Sequence, residues 1–338
     1  MREGEVFGEI VGQERAIRIL RRAVEQGKVA SAYLFEGPSG VGKQKAAFAL
    51  AACMTASEQR SPQMQLERIQ KGNHPDVLVL GPRAEGNRNL QVSVIREQVI
   101  PFVHHAPFES KAAFVIFPDA EISFPPFHPE GANALLKTLE EPPSNLHFVL
   151  ISSRPERLLS TIRSRCLRVR FSPLSEASIL EILKRSGVPE HLHLPLCRLA
   201  EGRADRALFW AASTKEGQSR LESMVRLFHQ LVTAISDEGQ SALLHLAEGL
   251  ARDGEINETL EALVLFFADL LHFQLGAKGA KAALSAWPEV LEAAKSLSLA
   301  QSTEGGLGLL RAIDAIAANA NRELVLIEWL LRLRFEDF

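Results

Sequence analysis

Apolar residues fall in two different rhythms along this chain, and the rhythm changes near residue 172. Up to about Phe171, short apolar runs alternate with amphipathic stretches, which is the pattern of a parallel sheet covered by helices on both faces. The predicted strands are residues 32–35, 77–80, 112–117, 148–152 and 167–171. Between them, residues 13–26 carry Ile17, Leu20 and Val24 on one helical face, and residues 43–52 form an alanine-rich helix. Residues 92–103 predict a helix ending near Pro101, and residues 133–141 a helix stopped by Pro142-Pro143, because proline cannot continue one. Beyond Ser172-Pro173 the strand runs cease. Residues 175–186 and 194–211 read as helices, and from Lys215 onward long amphipathic patterns take over. Leu221, Val225, Phe228 and Val232 form one stripe; Ile313, Ile316 and Ala317 begin another, continued by Leu324, Ile327 and Leu331. Such stripes are core-facing by default.

Composition adds bounds rather than direction. The chain has 338 residues, 46% hydrophobic and 23% charged, which suits two or three globular domains. Its net charge of −3 selects no partner. Cys53, Cys166 and Cys197 are scattered without a C-x-x-C pair, so the spacing indicates neither a disulfide framework nor a zinc site. The first ten residues lack the basic and apolar regions of a signal peptide, and the most apolar later run, 263–271, contains Asp269 and is too short to span a bilayer. A cytoplasmic protein without membrane segments is expected.

Candidate chemistry begins after the first strand, at Gly37-Pro38-Ser39-Gly40-Val41-Gly42-Lys43-Gln44. A glycine loop between strand and helix, ending in lysine, is the layout of a phosphate loop. Its backbone N–H groups and the helix N-terminus cradle phosphates, the lysine reaches the outer ones, and a following Ser or Thr holds Mg²⁺. Gln44 stands where that hydroxyl belongs. The acidic strand end that should share the ion is also altered: the strand ending at Phe117 runs into Pro118-Asp119. Asp119 remains available as a base, but two departures from one ion site predict that magnesium-dependent hydrolysis is lost. A metal-free, weakened phosphate loop is the resulting expectation.

The segments His74-Pro75-Asp76, Asn133-Ala134-Leu135-Leu136-Lys137-Thr138-Leu139-Glu140-Glu141-Pro142-Pro143 and Thr161-Ile162-Arg163-Ser164-Arg165-Cys166 follow the loop in that order. Together with it they resemble the clamp-loader subunits of bacterial DNA polymerase III along the whole chain. Ile10-Val11-Gly12-Gln13, Gly72-Asn73-His74-Pro75-Asp76 and the weakened loop favour the delta-prime branch over the gamma/tau motors. The resemblance implies an α/β AAA+ domain over 1–172, a small helical lid over 173–212 and an all-helical collar over 213–338 that joins subunits in a ring. It implies motor (gamma/tau-like) and wrench (delta-like) subunits as partners, and primer-template DNA reached through the assembled complex.

In such a complex, Arg165 would be the arginine that projects into a neighbour's ATP site. A planar, permanent cation supplied in trans is worth about 10³–10⁵ in rate. From the charge run alone, Arg154, Arg157, Arg163, Arg165, Arg168 and Arg170 read as a solvated face. Many relatives carry four cysteines between the loop helix and His74 that bind zinc. Here only Cys53 remains, with Gln63, Gln65 and Leu66 in the interval, so zinc is predicted absent. No cofactor is required, although weak ATP or ADP binding is compatible with the loop. Ser152 and Ser153 stand where a polar sensor is expected, and serines at a strand end also serve simply as turn formers. In the lid, residues 199–208 resemble the nucleotide-sensing helix start of the motor subunits, with the sensing arginine displaced to Arg203 or Arg206, and neither is assigned. Ser123-Phe124-Pro125-Pro126-Phe127-His128-Pro129-Glu130 reads as a proline-stiffened loop tucked on its own domain. The alternative function is an autonomous AAA+ ATPase that remodels DNA or protein.

Overall fold

All five predicted strands are present: β1 (Ala32–Glu36), β2 (Val77–Val79), β3 (Ala113–Phe117), β4 (Leu146–Ser152) and β5 (Leu167–Arg170). They form one sheet in the order β2-β3-β4-β1-β5, with every neighbouring pair parallel. The computed structural model describes residues 3–82, 90–126, 128–213, 219–236, 240–276 and 287–335. The chain divides into two units, one of residues 1–178 with 202–205 and the other of residues 179–201 with 206–338.

In the first unit, β1, β3 and β4 are buried along their whole length, which is why they read as unbroken apolar runs. One face of the sheet, including Leu34, Val115, Phe117, Phe148 and Leu150, packs with Ile95, Val99, Leu135, Leu139 and Ile162. At the edge, β5 buries only Val169. The helices are α1 (Glu3–Gly8), α2 (Glu14–Glu25), α3 (Lys43–Thr55), α4 (Pro62–Gln70), α5 (Val92–Val94), α6 (Ile100–His104), α7 (Ala120–Ser123), α8 (Glu130–Glu140) and α9 (Ser160–Arg163); α10 (Glu176–Arg185) begins here. The pattern did not reveal α1, α4, α7 or α9, which are short or lack a full amphipathic period.

The expected stop at Pro101 does not occur. A π-helical turn, Ile95–Val99, joins α5 to α6, and the helix runs on to His104. Widening the preceding turn accommodates a residue that has no N–H to donate and whose ring crowds the carbonyl four residues back.

The His74-Pro75-Asp76 segment is structural. Asp76 is buried and accepts the backbone N–H groups of Phe108, Glu109 and Ser110, while its own N–H donates to His74 Nδ1 at 3.1 Å. Three N–H donors on one carboxylate clip the chain before β3 to the chain before β2.

The second unit is helical among its described residues: the rest of α10, then α11 (Glu190–Leu199), most of α12 (Ala204–Ala211), α13 (Arg220–Ser236), α14 (Gln240–Ala251), α15 (Ile256–Gln274), α16 (Pro288–Ala294), α17 (Leu299–Ala317) and α18 (Arg322–Arg334). The predicted helix over 194–211 is therefore two helices. It breaks at Glu201 and Gly202, whose φ values are +48° and +78°, and only glycine enters that region at no steric cost. The α13 stripe is core, as expected: Leu221, Val225, Phe228 and Val232 are buried, and Phe228 meets Phe266 and Phe267 edge to face.

The α18 stripe is a correction. Leu326, Trp329, Leu330 and Leu333 are buried, whereas Leu324 is 65% exposed and Leu331 36%. Apolar residues occur almost all round this helix, so periodicity could not choose a face. Trp329 chooses it by donating its indole N–H to the Gly305 carbonyl at 3.2 Å.

Candidate nucleotide site and the Arg165 surface

β3, β4 and β1 are adjacent and parallel, so their carboxyl ends open on one crevice, the usual place for a ligand in such a sheet. Into it come the loop Gly37–Gly42 after β1, Pro118-Asp119 after β3, and Ser152-Ser153 at the end of β4. The sequence-predicted loop is thus in place. The N–H of Gly37 donates to the Ser152 carbonyl at 3.2 Å, Val41 is buried, and Gly42 at φ +97° launches α3.

Lys43 is only 6% exposed, and its ammonium donates to the carbonyls of Gly37 and Pro38. Burial lowers its pKa to about 8; Glu121, Asp119 and Asp205 oppose that shift, and Arg203 adds to it. Two of its three N–H bonds are engaged by the loop itself. Gln44 is exposed on the first turn of α3 and brings no hydroxyl of the kind that follows the lysine in a magnesium-holding loop.

After β3, Asp119 adopts φ 46°, ψ 50° and opens α7. A further carboxylate at these strand ends was not singled out from the sequence. Glu121 is buried, and its Oε1 accepts the Ser153 N–H at 2.9 Å, the Ser153 hydroxyl at 2.6 Å and the Arg154 N–H at 3.2 Å. Burial pulls the Glu121 carboxyl up, but the hydrogen bonds led by Ser153 outweigh it and hold the group below the ordinary range. The available signal was a second acid two residues beyond Asp119.

Ser153 therefore holds Glu121, and Ser152 Oγ accepts the Arg154 N–H at 3.1 Å, closing the turn. Nearby, Phe124 is fully buried edge to face with Phe117, as a tucked loop requires; Phe127 lies outside the described residues. On the far side of α3, Gln65 Nε2 donates to the Thr55 carbonyl at 2.8 Å and Leu66 is buried, so the interval that held the expected non-cysteine residues is used for packing.

Arg165 follows α9 at the opposite end of the strands. Tyr33 pairs with Leu167 and Glu36 with Arg170, so four residues of parallel strand, at least about 13 Å, separate Arg165 from the chain's own loop. The guanidinium is surface-placed, donating to the Thr161 carbonyl at 2.8 Å and to the Glu140 carboxylate near the end of α8. Two of the sequence segments quoted above thus meet at this ion pair. Burial pushes the adjacent Cys166 thiol up to about 12, leaving it unreactive.

Arg168 and Arg170 are not simply solvated: both donate to Glu36, the buried acid that ends β1, at 2.6–2.8 Å. They fasten the edge strand beside the loop. In the 202–205 segment, Arg203 pairs with Asp205 at 3.2 Å, and Arg206 pairs with Glu201 and Glu261. Neither arginine is assigned a sensing role.

Two family models match this chain: DNA polymerase III, delta subunit, over residues 12–175, and DNA polymerase III, delta subunit, C terminal, over residues 222–334. The chain is 30% identical over 223 residues to DNA polymerase III subunit delta' of Bacillus subtilis, covering 64% of this chain and 65% of that one. It is 30% identical over 294 residues to DNA polymerase III subunit tau of Escherichia coli, covering 79% of this chain and 43% of that one. It therefore spans between 43% and 65% of the length of these relatives. A DNA polymerase III gamma subunit-related protein of Thermotoga maritima has a similar fold, with a TM-score of 0.50 at 20% identity over 94% of this chain and 98% of that one. The parallel sheet of the first unit and the helices of the second share that protein's fold.

Proposed function

The chain belongs to the DNA polymerase III delta-subunit family, and from that premise we propose that it acts as a delta-prime-like clamp-loader subunit. It helps load the sliding clamp onto DNA during replication, without hydrolysing nucleotide itself. Its partners are gamma/tau-like motor subunits, a delta-like wrench subunit and, through the assembled complex, primer-template DNA. Residues 1–172 serve as the AAA+ domain, 173–212 as the lid and 213–338 as the collar that joins the ring. Zinc plays no part, and the cell compartment is the cytoplasm; among the described residues no helix is long and apolar enough to cross a membrane.

The observation that carries the reading is the placement of Arg165. It lies at the wrong end of the strands to touch a phosphate in its own loop, yet it sits on the surface with its guanidinium steadied by Glu140. A cation so placed is open to a neighbouring molecule. In trans it would stabilise the negative charge that spreads over a transferring phosphoryl group, a contribution of about 10³–10⁵ at the site it faces. The loop completes the argument, because Gln44 and Pro118 stand where the ion's ligands belong.

The test is DNA-stimulated ATP turnover by a complex assembled from motor, wrench and this chain. With Arg165→Ala the complex should still assemble, because the pair with Glu140 is exposed and adds little stability. Its turnover should fall severalfold. Unchanged turnover in an intact mutant complex would remove the finger assignment.

A further inference from the structure

The phosphate loop has a second peculiarity that the lost ion seat does not explain. At Gly40 an added Cβ would lie 1.7 Å from Asp205 Oδ1 and 2.2 Å from its Cγ, so the carboxylate rests directly on the glycine's Cα. Gly40 sits at φ +69°, and its carbonyl accepts the Ala204 N–H at 3.0 Å, so the 203–205 segment is docked on the loop by backbone as well as side chain. Arg203, the neighbouring cation, is turned onto Asp205 by contacts of 3.2 and 3.4 Å. Glu121, Asp119 and Asp205 act on Lys43 as negative charges and Arg203 as a positive one.

We propose that Asp205 is the residue that decides what this loop rejects: its carboxylate lies against Gly40, occupies the anion site in place of a phosphate and holds Arg203 away from it. The inference rests on the reading that this subunit does not turn over ATP, and it supplies a cause separate from the missing ion ligands. A loop lacking only its Mg²⁺ ligands would still bind ADP through backbone N–H groups and Lys43. A loop carrying a fixed carboxylate meets every polyphosphate with like charge. Removing that one charge takes away the like-charge repulsion and releases Arg203 as a second phosphate ligand.

The experiment is calorimetric titration of the full chain with magnesium-free ADP, and separately with inorganic pyrophosphate. Asp205→Asn is expected to bind ADP at least about tenfold more tightly than the parent. Pyrophosphate should show the same gain, and adding Lys43→Ala should abolish it. Asp205→Ala provides a second reading free of the amide, with thermal melts to establish that each variant is folded. Affinities equal to the parent's in both variants would overturn the proposal, and so would a gain that survives Lys43→Ala. Magnesium-dependent turnover by the parent chain would instead sink the functional reading, so the two failures are distinguishable.

Discussion

Lys43 shows how one residue carries both the ancestry of the site and its cost. Its ammonium is buried against the loop carbonyls with a pKa lowered from 10.5 to about 8, chiefly by desolvation. Because the folded-state value is the lower one, the unfolded chain binds more protons between pH 8 and 10.5, and stability rises with pH across that window. Below pH 8 the whole penalty is present. Lys43→Met should therefore raise stability at pH 7, by on the order of 1–3 kcal/mol, and should flatten the rise between pH 8 and 10.5. Urea melts of parent and variant at pH 7 and at pH 9.5 check this. A variant no more stable than the parent at pH 7 would mean that the buried ammonium is fully compensated.

The elements were legible where burial forces one pattern. The strands at 32–36, 113–117 and 146–152 are covered on both faces, so unbroken apolar runs mark them in the sequence. The glycine loop was legible because its chemistry is local, a few residues between a strand and a helix. Glu121 was not, since its role comes from Ser153, which arrives from a different strand. Asp205 was hidden for the same reason: only the fold brings it 165 positions back onto Gly40. The face of α18 was illegible because Leu324, Leu326, Ile327, Leu330 and Leu331 spread almost all round it and leave only a narrow polar strip at Glu328 and Arg332.

What orients α18 is packing against α17 and α14, with Trp329 edge-on to the Phe267 ring of α15. At Gly305 of α17, an added Cβ would lie 2.4 Å from the Phe267 ring of α15, and the Gly305 carbonyl takes the Trp329 indole N–H. Gly305→Ala has better intrinsic helix propensity by about 1 kcal/mol, so propensity alone predicts stabilisation. Overpacking against the buried Phe267 ring reverses the sign, and a net loss of about 1–3 kcal/mol is expected. Chemical denaturation monitored by tryptophan fluorescence reads it. A stabilised Gly305→Ala protein would show that this helix contact is looser than the geometry implies.

At the scale of the whole molecule, the first unit keeps a nucleotide-binding architecture while its chemistry points elsewhere. The sheet still opens at the carboxyl ends of β3, β4 and β1, and the loop still launches α3. Gln44 and Pro118 stand where a magnesium-holding loop carries its ligands, and Arg165 stands at the other end of the strands. On the function proposed above, this is a division of labour in which the chain contributes a charge to catalysis on a neighbour.

The measurement that bears on it most directly is ATP turnover by the purified full chain with and without Mg²⁺. A rate at background, unchanged by Lys43→Ala, is predicted. A magnesium-dependent rate abolished by Lys43→Ala would contradict the account.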